Sequence, residues 1–201
     1  MNAFQIVVIH DDLEYNDALI SELNIEYPNQ EVMLIKKSAD GLEYVIKNKG
    51  KKMIVILDLN FKKGEPNGLK VLEDIRKHTS LVFVLIWTSS AIQDIDKDDL
   101  KSMINNDALG LMSSTDDVSK ILSIVSDAAH SLEVRVASAL ETWITSQPEE
   151  EKEKPYITTK DGQTYNLNQI LEEVRQQTPF GKETEKNILL LAIDLLVQSN
   201  E

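Results

Sequence analysis

Cysteine is absent from the 201-residue chain. Disulfides, thiolate metal sites and cysteine nucleophiles are thereby excluded together, and the composition fits a cytoplasmic protein. Long hydrophobic runs are also absent. Those present are short, strand-like stretches such as Met53–Leu57 and Leu81–Trp87, far short of the about 18 residues a membrane helix needs. The first residues, Met-Asn-Ala-Phe-Gln-Ile-Val-Val-Ile-His-Asp-Asp, have no basic stretch and no small-residue cleavage site, so no signal peptide is expected. Basic residues are scarce: 21 Lys and Arg against 34 Asp and Glu give −13, with an isoelectric point near 4.7. Residues 1–146 carry 15 basic and 23 acidic groups, and residues 147–201 carry 6 and 11. Neither part supplies the basic patch that displaces counterions from phosphates, so no nucleic acid or anionic membrane partner is expected. Gly64, Gly68 and Gly110 form no phosphate-cradling loop. His10, His78 and His130 share no metal-binding spacing, and Ser89 and Ser90 lack a histidine partner for a hydrolytic triad.

Hydrophobic residues make up 42% of the chain, enough for a packed core. Buried strands are expected at Phe4–His10, Glu31–Ile35, Lys52–Leu57, Leu81–Ile86 and Ala108–Met112. Helical spacing of apolar residues falls between them, over Asn16–Leu23, Gly41–Asn48, Gly68–Lys77 and Asp98–Asn105. Apolar strands alternating with amphipathic helices predict an α/β fold, a five-stranded parallel sheet covered on both faces. Ligands bind such sheets outside the carboxyl ends of the strands. What stands there is acidic and hydroxylic: Asp11 and Asp12 after the first strand, Asp58 after the third, Thr88 after the fourth. Carboxylates gathered in one cleft repel each other unless a cation neutralises them, and Mg²⁺ suits an all-oxygen site. A carboxylate beside that ion can attack a phosphoryl donor. The bland alternative is that these residues cap helices and turns.

From Val118 to Trp143, the positions Val118, Leu122, Val125, Ala129, Leu132, Val136, Ala139 and Trp143 are spaced 4, 3, 4, 3, 4, 3, 4. This heptad seam predicts a helix too long for a compact α/β unit. Its projecting part, with Leu132, Val136, Ala139 and Trp143, either forms a homodimer or packs on the C-terminal segment of its own chain. Residues 147–155 read as a charged, proline-bounded linker. Beyond it, Asp161-Gly162 between β-formers predicts a hairpin. Asn166 with Gln169 predicts a capped helix carrying Leu167, Ile170, Leu171 and Val174, broken at Thr178–Gly181. A last helix, with Ile188, Leu189, Leu191, Ala192, Leu195 and Leu196, is apolar around much of its circumference and needs a covering surface on the long helix or a second chain. The expected organisation is a first domain over 1–130, an extended helix over 131–146, the linker, and a small hairpin-plus-helices domain over 156–201.

Residues 1–132 resemble the CheY-like receiver domain of two-component response regulators, a flavodoxin-like doubly wound fold. The resemblance rests on Ile6-Val-Val-Ile-His-Asp11-Asp12, on Ile54-Val-Ile-Leu-Asp58-Leu-Asn60 followed by Asn67-Gly68-Leu69, on Leu85-Ile-Trp-Thr88-Ser89, and on Ala108-Leu-Gly110-Leu-Met with Asp116-Asp-Val-Ser-Lys-Ile-Leu122. It implies that Asp58 is a phosphoacceptor and that Asp11, Asp12, Asp58 and the carbonyl of Asn60 hold Mg²⁺, with Asp12 the closer of the pair. It implies that Thr88 is the switch hydroxyl, that a sensor histidine kinase is the partner, and that the protein is not an enzyme. Three departures stand out. Ser114 occupies the place of the family's phosphoryl-contacting lysine, Leu111 that of the switch aromatic, and the loop from Asp58 to Gly68 is longer. Lys62 or Lys63 of that loop is a substitute for the missing lysine. The C-terminal segment resembles no family. The competing readings are a phosphorylated response regulator signalling to a protein partner, a pseudo-receiver scaffold that binds constitutively, and an aspartate-dependent phosphatase. The last needs a second acid two residues after Asp58, where Asn60 stands.

Overall fold

A computed structural model describes the backbone of residues 4–90, 92–134 and 136–198, and their side chains except at 92, 133, 134, 194 and 196–198. The chain divides into two compact units, 1–133 and 134–201.

In the first unit, strands β1 (Gln5–Ile9), β2 (Glu31–Ile35), β3 (Met53–Asp58), β4 (Phe83–Thr88) and β5 (Gly110–Ser113) alternate with helices α1 (Ala18–Glu26), α2 (Ser38–Lys47), α3 (Gly68–Arg76), α4 (Lys97–Asn105) and α5 (Val118–Val134). The strands pair in parallel in the order β2-β1-β3-β4-β5. The central strands β1, β3 and β4 are buried along their whole length, which is why they read as unbroken apolar runs. Successive side chains point to opposite faces. Ile6, Val8, Ile54, Ile56, Leu85, Trp87 and Met112 pack with α1 and α5 on one face. Val7, Ile9, Val55, Leu57, Val84 and Ile86 pack with residues of α2, α3 and α4 on the other. The elements fall where the apolar periodicity puts them, with boundaries displaced by a few residues. For example, α2 begins at Ser38, ahead of the expected Gly41.

In the second unit, helices α6 (Val136–Ser146) and α7 (Glu149–Lys152) precede a hairpin of β6 (Pro155–Thr158) and β7 (Thr164–Asn166), followed by α8 (Leu167–Arg175) and α9 (Pro179–Gln198). Gly162 takes φ +87° in the hairpin turn. Asn166 and Gln169 form the expected capping box at the start of α8. Ile144, Leu167, Ile170 and Leu171 make the core, with Phe180 stacked on Tyr165 at 4.0 Å. Gly181 lets α9 cross α8 closely, since a Cβ there would lie 2.2 Å from the Glu173 carbonyl oxygen. Glu141 of α6 is buried and takes two hydrogen bonds from Arg175 of α8, at 2.8 and 2.6 Å.

Two expectations need correction. The heptad seam is not one continuous surface. Leu132 is 2% exposed within the core of the first unit, so it is spent on the sheet. In α6 the buried stripe is Ala137, Ser138, Glu141 and Ile144, one residue out of register with Val136, Ala139 and Trp143. Ala139 is exposed, and Trp143, 43% exposed, meets Tyr156 of the same unit at 6.0 Å. Continuity of the helix through Arg135 lies outside the described residues. Residues 147–155 are not a free tether either. α7 forms one helical turn there, and the Glu153 carboxylate accepts hydrogen bonds from the side-chain amides of Asn166 and Asn168. The last helix still lacks the covering surface its composition calls for: Leu189, Leu191 and Leu195 are exposed, as are Leu190 and Ile193 beside them, while the side chain of Leu196 lies outside the described residues.

Candidate functional site

The parallel order places the carboxyl ends of β1 and β4 on either side of β3. Asp58 ends β3 directly opposite Trp87 of β4, and Thr88 follows one residue on. Asp11 and Asp12 leave the end of β1 two and three residues after Ile9, which pairs with Leu57. Asp58, Asp11 and Thr88 therefore converge because three hydrophobic strands stop at one edge.

Asp58 is 6% exposed. Its Oδ1 accepts the backbone N–H of Asn60 at 3.1 Å, and its Oδ2 faces the Nε2 of His10 at 3.8 Å. Burial pushes its carboxyl above the usual range, the Asn60 N–H opposes that shift, and the charge of Asp11 adds to it. Its backbone is pressed by α3, since a Cβ at Gly68 would lie 2.1 Å from the Asp58 carbonyl oxygen. Only glycine admits the chain so close to the carboxylate-bearing residue. Thr88 is fully buried. Its Oγ1 accepts the Ser90 N–H at 3.0 Å and keeps its own proton to donate.

His10, Asp11 and Asp58 bring one ligand atom each within 4.8 Å of one another. Asp11 carries a side chain only 10% exposed and accepts the Lys62 N–H at 3.0 Å. Asp12 differs from its expected place. Its side chain is 74% exposed and held at 2.7 Å by the Lys62 ammonium, whose hydrogen bond and charge lower its pKa. Thus Asp11, rather than Asp12, is the member of the pair that joins Asp58. A buried carboxylate with raised pKa beside a second carboxylate suits a divalent cation, so the residues present fit Mg²⁺.

Ser114 is exposed, and its N–H bonds the Thr88 carbonyl at 2.8 Å, which ties the ends of β4 and β5 together. Lys120, the next lysine along, pairs with Asp116 at 2.7 Å. Lys62 reaches Asp11 and Asp12. Among the described residues, the basic side chain within 4 Å of Asp58 is that of His10. In the sequence His10 directly precedes the acidic pair, which suggests that it modulates the pair and no more than that. The signal that finds it is strand alternation: two residues beyond Val8, it shares that face of the sheet with Trp87, which its ring meets edge-on at 5.8 Å.

No family model matches the chain, and no curated protein sequence matches it. Solved structures do. A CheY-like response regulator receiver domain protein from Methanospirillum hungatei is similar over 66% of this chain and 98% of its own, at 17% identity and a TM-score of 0.53. A response regulator receiver domain protein from Clostridium thermocellum is similar over 65% and 98%, at 21% identity and 0.53. A DNA-binding response regulator of the LuxR family from Staphylococcus aureus is similar over 62% and 98%, at 16% identity and 0.51. These likenesses leave the second unit unassigned. With its strand order and the acidic edge where β1 and β3 end, the first unit has the flavodoxin-like fold of CheY-like response regulator receiver domains.

Proposed function

We propose that the protein is a response regulator whose Asp58 accepts a phosphoryl group with Mg²⁺, and which signals through protein contacts of its second unit. The observation that carries this reading is the buried Asp58 carboxylate, with one oxygen held by the Asn60 N–H and the other facing His10, beside Asp11 at the carboxyl edge of a receiver fold. In the reaction, an Asp58 oxygen bonds to phosphorus as the bond to the donor's leaving group breaks. The electron pair departs with that group, a histidine nitrogen of a sensor kinase or the acetate of acetyl phosphate. Asp11, Asp58 and the Asn60 carbonyl would hold Mg²⁺, which neutralises phosphoryl charge when bound. Asp12 joins them only if it leaves Lys62. Thr88, with an undonated hydroxyl proton, turns toward the new phosphoryl oxygens. The strain passes to Ser90 and, through the Ser114 N–H, to β5.

The output surface is the second unit. A groove of about 740 Å³ opens between α6, the hairpin and α9, flanked by Trp143, Tyr156 and Leu191. With the exposed apolar residues of α9, it supports a protein partner and association of two copies. The charge balance argues against nucleic acid, and among the described residues no helix is long and apolar enough to cross a membrane. A cytoplasmic, non-enzymatic signalling role follows from this reading.

One observation favours a second reading. The Lys62 ammonium bound to Asp12 and near Asp11 supplies a built-in positive charge, as a pseudo-receiver that works without metal would need. Intact mass after incubation with Mg²⁺ and acetyl phosphate separates the two. A phosphoryl adduct in wild type and none in Asp58→Asn is expected. A folded wild type without adduct, binding its partner equally with and without phosphodonor, is the outcome of the scaffold.

A further inference from the structure

Once Asp58 carries a phosphoryl group, two or more negative charges stand at a buried position, and donors must meet them. Lys62, which reaches Asp11 and Asp12, and Lys120, the next lysine after Ser114, are paired with other carboxylates. Ser114 lies two residues beyond Met112, on the face of the sheet that Met112, Trp87 and Val8 share, but its side chain is short and exposed. His10 reaches the same face from β1.

We infer that His10 is a catalytic residue whose Nε2–H donates to the phosphoryl oxygens on Asp58, serving from β1 the role that Ser114 cannot serve from the end of β5. The inference rests on the phosphoacceptor reading above and adds a second donor, alongside the Thr88 hydroxyl.

The geometry fixes the chemistry without any change of charge on the ring. Nδ1 accepts the backbone N–H of Asp12 at 3.1 Å and of Leu13 at 3.3 Å. An acceptor at Nδ1 places the proton of neutral imidazole on Nε2. Trp87 packs edge-on against the ring and holds its plane. Nε2 then points at Asp58 Oδ2, the oxygen not taken by the Asn60 N–H. The 3.8 Å separation exceeds a hydrogen bond, so the proton is not committed to the carboxylate in the free protein. A phosphoryl group on Oδ2 would carry its oxygens beyond the carboxylate, and one turned toward His10 would receive that proton as a hydrogen bond. The ring is oriented before the reaction by two backbone donors, so little reorganisation opposes the contact. No proton is transferred, and the phosphoryl step keeps the balance given above.

Four proteins test this: wild type, His10→Val, His10→Asn, and His10→Val with Ser114→Lys, each verified as folded by thermal melting. His10→Asn retains an oxygen to accept the Asp12 and Leu13 N–H groups but cannot reach Asp58. The rate of adduct formation from acetyl phosphate with Mg²⁺ is expected to fall roughly a hundredfold in both single variants. In the double variant it recovers most of that loss, because a lysine from the β5 end reaches the same oxygens. An independent readout is the ¹⁵N spectrum of the histidine rings in wild type. Fluoroberyllate, a phosphoryl mimic, should shift His10 Nε2 and leave Nδ1 in place. His10→Asn reacting at the wild-type rate overturns the inference, and so does a loss that Ser114→Lys leaves unrepaired, or a ring that ignores fluoroberyllate while Asp58 is labelled normally. A wild type that takes neither acetyl phosphate nor fluoroberyllate overturns the phosphoacceptor reading, and this inference with it.

Discussion

Asp58 is held against its own charge. Burial raises its pKa relative to the unfolded chain, so between the ordinary carboxylate pKa and its own, the native state binds more protons than the unfolded state. Stability therefore falls as pH rises through that window and stays lower above it. In metal-free protein, Asp58→Asn should abolish this slope and raise the melting temperature at neutral pH, with little change below the ordinary carboxylate pKa. Parallel thermal melts across pH read the difference. Mg²⁺ should stabilise wild type and leave Asp58→Asn nearly unmoved. At this scale the sequence was legible for Asp58 and Thr88, because each ends an apolar strand. It was less legible for Asp12, whose place is set by a lysine fifty residues away. The side of the sheet that His10 faces follows from counting two residues from Val8, yet the approach to Asp58 depends on the backbone turn that captures Nδ1.

Among elements, α6 and α8 are joined by a contact that no apolar pattern announces. Glu141 and Arg175 are both largely buried, and the guanidinium donates twice to one carboxylate oxygen. Removing Arg175 deletes both of its hydrogen bonds to a buried carboxylate, so Arg175→Ala should destabilise the second unit by about 3–5 kcal/mol. Denaturant unfolding followed through Trp143 would measure it. The same element shows why heptad counting misplaced a surface. The 4-3 spacing from Val118 to Trp143 is present in the sequence, but its first part is used by the sheet, through Val125, Ala129 and Leu132. In α6 the buried stripe starts afresh at Ala137 because a charged residue, Glu141, is satisfied inside, a choice hydrophobic periodicity cannot read. By contrast, the capping box of α8 was legible in full, since all its partners lie within four consecutive residues.

The whole molecule consists of two compact units. The first contains every group proposed for phosphoryl chemistry, and the second contains the exposed apolar residues of α9. A chain ending at Glu133 should fold cooperatively and take the phosphoryl label on Asp58. Analytical ultracentrifugation should find it monomeric, while the full chain sediments as a dimer. A full-length monomer would remove the homodimer from the proposal and leave α9 to another protein. The receiver fold was legible because alternating apolar strands and helices admit few topologies. The second unit was legible as elements and not as a fold, because its small core is completed by a buried ion pair and a tethered acidic segment.

The pairing of Lys62 with Asp12 makes metal loading an exchange if Asp12 joins the ligand set. The chain carries its own monovalent competitor, and a divalent ion entering there must displace an ammonium that diffuses nowhere. Both side chains are largely exposed, so solvent screens the pair and the competitor is weak. Lys62→Met should therefore tighten Mg²⁺ binding by no more than about fivefold, as titration calorimetry would detect. Resting affinity would then be set partly by a loop residue outside the ligand set. Changes in that loop could retune the metal threshold of the switch while leaving the acidic residues as they are.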